Sequence, residues 1–145
     1  MPKIKDILQK KSQSETWSTG PSQSVFQAIE LMAFKEIGAL TVINDQGHLV
    51  GIVSERDYAR KVILLGKSSK QIPVSEIMTK EVITVGPDSG IEECMTLMTE
   101  RRFRHLPVLL ESELVGMISV GDLVKAIISE QDFKIEQLER YVRGG

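Results

Sequence analysis

The stretch LVGIVSERDYARKVI, Leu49 to Ile63, is nearly respelled later in the chain as LVGMISVGDLVKAII, Leu114 to Ile128. Each copy passes from a β-type apolar run through a glycine and a serine into a helical pattern, with an aspartate three residues after the serine. At 145 residues the chain has room for one ordinary domain or for two small repeats sharing a core, and the duplicated strand-turn-helix selects the second.

The duplication extends outward from these turns. Gly20-Pro21 recurs as Gly86-Pro87, a spacing of 66 residues, whereas Leu49 and Leu114 are 65 apart. The spacing falls by one residue across the hairpin turn, which contains NDQGH in the first copy and ESE in the second. After each Gly-Pro, apolar residues fall at i, i+3, i+4 and i+7: Val25, Ala28, Ile29 and Met32, then Ile91, Cys94, Met95 and Met98. Both stretches are therefore expected to be amphipathic helices, with Ser22 and Asp88 as caps. The runs ALTVI with LVGIV, and LPVLL with LVGMIS, read as hairpins, each followed by a second helix, from about Glu55 to Leu65 and from about Gly121 onward. A short extended piece, TWST or VITV, precedes each Gly-Pro.

The order is β-α-β-β-α twice, an α+β architecture, with residues 1–66 as the first repeat and 67–145 as linker, second repeat and a helical tail. About 60 residues in this order cannot cover both faces of a three-stranded sheet, so the two repeats are expected to pack sheet to sheet as one pseudo-symmetric body. The lead-in IKDIL, Ile4 to Leu8, resembles VSEIM, Val74 to Met78, in the linker.

Several function classes fit poorly. With 18 basic and 20 acidic residues there is no general positive field for nucleic acid. A single cysteine, Cys94, excludes an internal disulfide, and with only His48 and His105 beside it no cysteine/histidine zinc site is expected. Cys94 falls on the helical core stripe. No signal-peptide-like or membrane-length apolar run occurs, so the expected location is the cytoplasm, or an organelle after removal of a transit peptide. Neither a phosphate-binding G-x-x-x-x-G-K-[ST] loop nor a nucleophile elbow is present, and the expectation is a protein that is not an enzyme.

The repeated turn has two chemical readings. A strand feeding a helix N-terminus presents free amides, and Ser54 or Ser119 adds a hydroxyl, a combination suited to phosphate. Asp57 and Asp122 repel phosphate but can accept both hydroxyl hydrogens of a ribose diol. Alternatively, Ser-x-x-Asp is a capping-box-like helix start. The two roles are compatible.

The turns GIVSERD and GMISVGD, with the RHLPV strand at Arg104 to Val108, resemble a tandem pair of cystathionine-β-synthase (CBS) domains, the Bateman module, and the likeness covers the whole chain. With no catalytic domain attached, the chain is most similar to stand-alone CBS-pair proteins. The resemblance implies binding of AMP, ADP, ATP or NAD(H), with S-adenosylmethionine a weaker candidate, in clefts between the repeats.

It also implies that one site joins Ser54, Arg56 and Asp57 to Arg104, His105 and Pro107 of the other repeat, with Val82, Ile83 and Thr84 alongside. Arg104 and His105 align with Gly38 and Ala39, and Arg56 aligns with Gly121, so only one cleft gathers these basic groups. The other would use Ser119 and Asp122 with Thr16, Trp17, Ser18, Thr19, Gly38, Ala39 and Leu40. A stripe of Ile135, Leu138, Tyr141 and Val142 on the tail needs a cover, and the family's habit of pairing favours a homodimer. The expected function is a regulatory adenine-nucleotide sensor acting on an unidentified partner protein. The alternative is a nucleotide-independent interaction adaptor.

Overall fold

Each β-type run of the sequence finds its neighbour as a hairpin, and each hairpin is flanked by the helices its pattern requires. The computed structural model describes residues 2–10 and 17–143. In chain order the elements are α1 (Ile4–Lys10), β1 (Ser18–Thr19), α2 (Val25–Lys35), β2 (Ala39–Ile43), β3 (Leu49–Ser54), α3 (Glu55–Tyr58), α4 (Ile91–Arg101), β4 (His105–Leu110), β5 (Glu113–Ser119) and α5 (Val120–Val142). A π-helical turn, Ala59–Ile63, continues α3, and a 3-10 turn, Val74–Glu76, lies in the linker. The architecture is mixed α+β with two small sheets.

The chain folds as two compact units whose boundaries are not those of the sequence repeats. Among the described residues, 17–83 form one unit, and 2–10 with 84–143 form the other. The spatial units thus cut the chain elsewhere than the sequence repeats do: each lead-in belongs with the opposite repeat. Hydrogen bonds are the physical reason. Ile4 and Lys5 donate their amides to the carbonyls of Ser89 and Pro87, and Val74 and Ser75 donate theirs to Gln23 and Pro21. These are matching positions in the two Gly-Pro loops. Ile4 and Val74 are both fully buried, so each exchanged lead-in also inserts an apolar anchor.

In the first-repeat unit, β2 pairs antiparallel with β3 and parallel with β1. Its core joins Val25, Ala28 and Met32 of α2 to Leu40, Val42 and Val53 of the sheet, and to Ile72, Val74 and Ile77 of the linker. The hairpin turn is closed by Asn44, whose Oδ1 accepts the amides of Gln46 and His48 at 3.0 and 2.9 Å. In the second-repeat unit β4 pairs with β5, and the turn is two residues, Glu111 and Ser112, both at positive φ. This tight turn replaces the longer Asn44–His48 loop. The VITV segment forms no strand: Val85 alone makes a parallel bridge to Val108, the counterpart of Thr19 beside Val42. TWST likewise contributes only Ser18–Thr19, and Thr16 lies outside the described residues.

Two further expectations are corrected. The helices after Gly-Pro start two residues later than expected, because the Gly-Pro turns close first, through Gln23 to Gly20 and Ser89 to Gly86. Ser24, not Ser22, caps α2, in a capping box with Gln27; Gly90, not Asp88, precedes α4. Asp88 instead lies 3.4 Å from Lys5 on the surface. The helix expected from Glu55 to Leu65 is regular only to Tyr58. It then widens into the π turn, shown by the amide of Leu64 donating to the carbonyl of Ala59.

Candidate functional site

The two motif glycines are where the exchanged lead-ins come closest. A Cβ on Gly51 would lie 2.7 Å from Met78 Sδ and 2.9 Å from the Thr79 carbonyl oxygen, and one on Gly116 would lie 2.6 Å from Leu8 Cδ2. Each glycine therefore admits a lead-in segment against the strand that carries the turn. Thr79 fixes the approach at Gly51, exchanging backbone hydrogen bonds with Ile52 at 3.0 and 2.8 Å.

Beyond the glycine, each strand ends on its serine and the helix begins at once. Ser54 Oγ accepts the amide of Asp57 at 3.2 Å, while Asp57 Oδ2 accepts the Ser54 amide at 2.9 Å and its hydroxyl at 3.0 Å. Ser119 and Asp122 repeat the arrangement, at 3.1 Å to Ser119 Oγ and 2.8 Å to Asp122 Oδ2. Both turns thus form the capping box. The cap uses one carboxylate oxygen of Asp57 and fixes the direction of the other.

That other oxygen, Asp57 Oδ1, lies 3.2 Å from Lys61 Nζ, which also donates to the Ile77 carbonyl at 2.8 Å. Lys61 was missed by sequence reasoning, although its position four residues after Asp57 on one helical face was a usable signal. Its counterpart in the second repeat is Ala126. The first turn is therefore tied to the linker through a cation where the second turn has a methyl group.

Strand register gathers the remaining residues in two groups. In the first-repeat unit Ala39 lies opposite Ser54, and the carbonyl of Gly38 accepts the amide of Glu55 at 3.1 Å. Gly38 and Arg56 are exposed, whereas Ala39 and Leu40 are buried, so the latter two can present backbone rather than side chain to a ligand. In the second-repeat unit His105 lies opposite Ser119, and the carbonyl of Arg104 accepts the amide of Val120 at 3.0 Å. Arg104 is exposed and His105 half-buried, while Pro107 is buried and its carbonyl accepts the amide of Val85. The basic pair thus shares a unit with Ser119 and Asp122, and Ser54, Arg56 and Asp57 stand on the other.

Trp17 and its neighbours are engaged in structure. The Trp17 ring packs on the first-repeat core and carries Lys35 Nζ 3.9 Å from its centroid, a cation–π contact that occupies one ring face. The Ser18 hydroxyl shares a hydrogen bond with that of the fully buried Thr41. Val82 and Ile83 are half-buried and Thr84 is exposed, all without regular structure. Cys94 is fully buried. Burial, and secondarily the Glu93 carboxylate, push its thiol from 9.0 up to about 11, so it is a protonated core residue at neutral pH.

Comparison with known proteins agrees with this geometry. The CBS-domain family model matches residues 4–63 and 74–129. The Arabidopsis thaliana protein named "CBS domain-containing protein CBSX3, mitochondrial" is 39% identical over 150 residues, covering 98% of this chain and 72% of the relative. The Bacillus subtilis CBS domain-containing protein YhcV is 32% identical, covering 85% of this chain and 84% of its own. The solved structure of a protein with CBS domains from Burkholderia ambifaria is 49% identical and superposes with a TM-score of 0.85, covering 90% of this chain and 96% of that one. A duplicated strand-turn-helix, matched to the family model in both copies, establishes that the chain belongs to the CBS-domain family and carries two CBS domains in tandem.

Proposed function

We propose that the chain is a non-enzymatic, cytoplasmic, homodimeric sensor of adenine nucleotides, which passes ligand binding on to a partner protein. The observation that carries this reading is the first turn. Asp57 is held by its cap with one carboxylate oxygen committed and the other directed, and Lys61 stands beside it. A ribose diol suits such a carboxylate, since both hydroxyls donate to it. Arg56, in the same turn, supplies a cationic group for phosphate, and AMP is the simplest ligand combining these demands; Arg104 and His105 carry the same chemistry on the other unit. Regulation then follows from linkage: the nucleotide shifts the protein only as far as it prefers one arrangement over another.

One observation favours a second reading, a nucleotide-independent adaptor. Both aspartates are used in helix caps, so the Ser-x-x-Asp pattern has a structural purpose without any ligand. Thermal-shift measurements with AMP, ADP, ATP, NAD, NADH and S-adenosylmethionine separate the two. A ligand that prefers the folded state raises the melting temperature, by about 2.7 kcal/mol of stability at a hundredfold excess over Kd. A flat response to all six favours the adaptor.

A further inference from the structure

The second half of α5 extends beyond the packing that anchors its first half. Leu123 is fully buried and Ala126 and Ile127 are half-buried, but every residue from Gln131 to Arg143 is exposed. Along the exposed surface Val124, Ile128, Gln131, Ile135, Leu138 and Val142 succeed one another at alternating spacings of four and three. That is the a/d repeat of a coiled coil. The five apolar members are 41, 54, 52, 64 and 81% exposed. At 100° per residue their stripe lies roughly 130° round the helix from the face bearing Leu123 and Ala126, so it points away from the body of its own unit.

We propose that this stripe docks a second copy of the chain, α5 against α5, as a parallel two-stranded coiled coil. The side chains select both partner number and direction. All three a positions, Ile128, Ile135 and Val142, are β-branched, and Leu138 is at d, the combination that favours two parallel strands. In a parallel pair Lys134 at g faces the partner's Glu139 at e, and the symmetry supplies this opposite-charge contact twice. An antiparallel pair crossing near the middle of the stripe would instead set Lys134 against the partner's Lys134 and Asp132 against the partner's Asp132. Gln131 is the one polar member, at d. In register it meets its own copy, amide to amide, whereas a slip of one heptad would bury it against Val124 or Leu138.

This proposal rests on the homodimer of the preceding reading and is independent of the nucleotide. Mass in solution, measured by light scattering, tests it with the full chain. The double variant Ile135→Lys/Leu138→Lys is expected to have half the wild-type mass while keeping its fold by circular dichroism, since both side chains are exposed in the single chain. Under oxidising conditions Val142→Cys is expected to cross-link two copies rapidly. Glu136→Cys, on the outer face, is expected to cross-link far more slowly. A double variant of unchanged multimeric mass would overturn the α5 interface while leaving the homodimer standing. A monomeric wild type would overturn both. Equal cross-linking at 136 and 142, or none at 142, would overturn the parallel arrangement.

Discussion

The turns at Ser54–Asp57 and Ser119–Asp122 share the same cap and differ in the helix that each cap starts. The first gives four regular helical residues, then a π turn, with Lys61 bridging Asp57 to the linker carbonyl of Ile77. The second has Ala126 in place of Lys61 and runs on as a 23-residue α-helix. A motif that is symmetric in sequence thus supplies a symmetric frame. The asymmetry sits on residues other than the shared glycine, serine and aspartate: Arg56 and Lys61 on one unit, Arg104 and His105 on the other.

The glycines test the frame most severely. Gly51→Ala forces a methyl against the carbonyl of Thr79, a residue pinned by two backbone hydrogen bonds to Ile52, one accepted by its carbonyl and one donated by its amide, whereas Gly116→Ala meets only the end of the flexible Leu8 side chain. Gly51→Ala is expected to cost about 1–3 kcal/mol, as overpacking does, and Gly116→Ala less. Urea denaturation of both variants measures the gap, and equal losses would mean that the two lead-ins are held alike.

The caps should be equivalent. Ser54→Ala and Ser119→Ala are each expected to cost about 1 kcal/mol in the same assay. A large difference would break the symmetry of the frame itself. Lys61→Ala is expected to have a smaller effect on stability, roughly 0.5 kcal/mol, because its Nζ is partly exposed and such pairs are screened by solvent. A larger loss would indicate that the bridge to Ile77 holds the linker.

Cys94 and its counterpart Ala28 give the smallest contrast at neutral pH. Its folded pKa lies above the unfolded value, so its contribution is constant below pH 9 and is lost as pH rises through about 11. Relative to Cys94→Ala, the wild type should therefore lose stability only above pH 9. A gap that changes between pH 6 and 8 would contradict the buried, protonated thiol.

Much of the fold was legible because hydrophobic periodicity and duplication reinforce each other. The stripe Val25, Ala28 and Met32, and its repeat Ile91, Cys94 and Met98, are the buried residues of α2 and α4. The exchange of lead-ins was not legible: Ile4 and Val74 declare themselves apolar, but which loop accepts their amides is a tertiary choice that the local pattern does not encode. Caps slipped by two residues because Ser22 and Ser24 are both competent, and closure of the Gly-Pro turn decides between them. At the candidate site the serine–aspartate pair was visible from its spacing. Lys61 was passed over because a lysine on an exposed helix ordinarily reads as a solvated charge. Leu40 was counted as a lining residue because a strand position does not reveal which face its side chain takes; it is in the core.

The central claim is that Asp57 reads the ribose of an adenine nucleotide and that its first-repeat setting makes it the stronger of the two aspartates. Calorimetric titration of AMP into the wild type, Asp57→Asn and Asp122→Asn addresses it directly. Asparagine keeps an acceptor for the serine amide, and the shared cap makes the Asp122 variant the control for any loss of capping. Hydrogen bonds to a charged group contribute roughly 1.5–3 kcal/mol, so Asp57→Asn is expected to weaken AMP by tenfold or more and Asp122→Asn by clearly less. Equal, unchanged affinities in both variants would contradict the claim and leave Asp57 a helix cap.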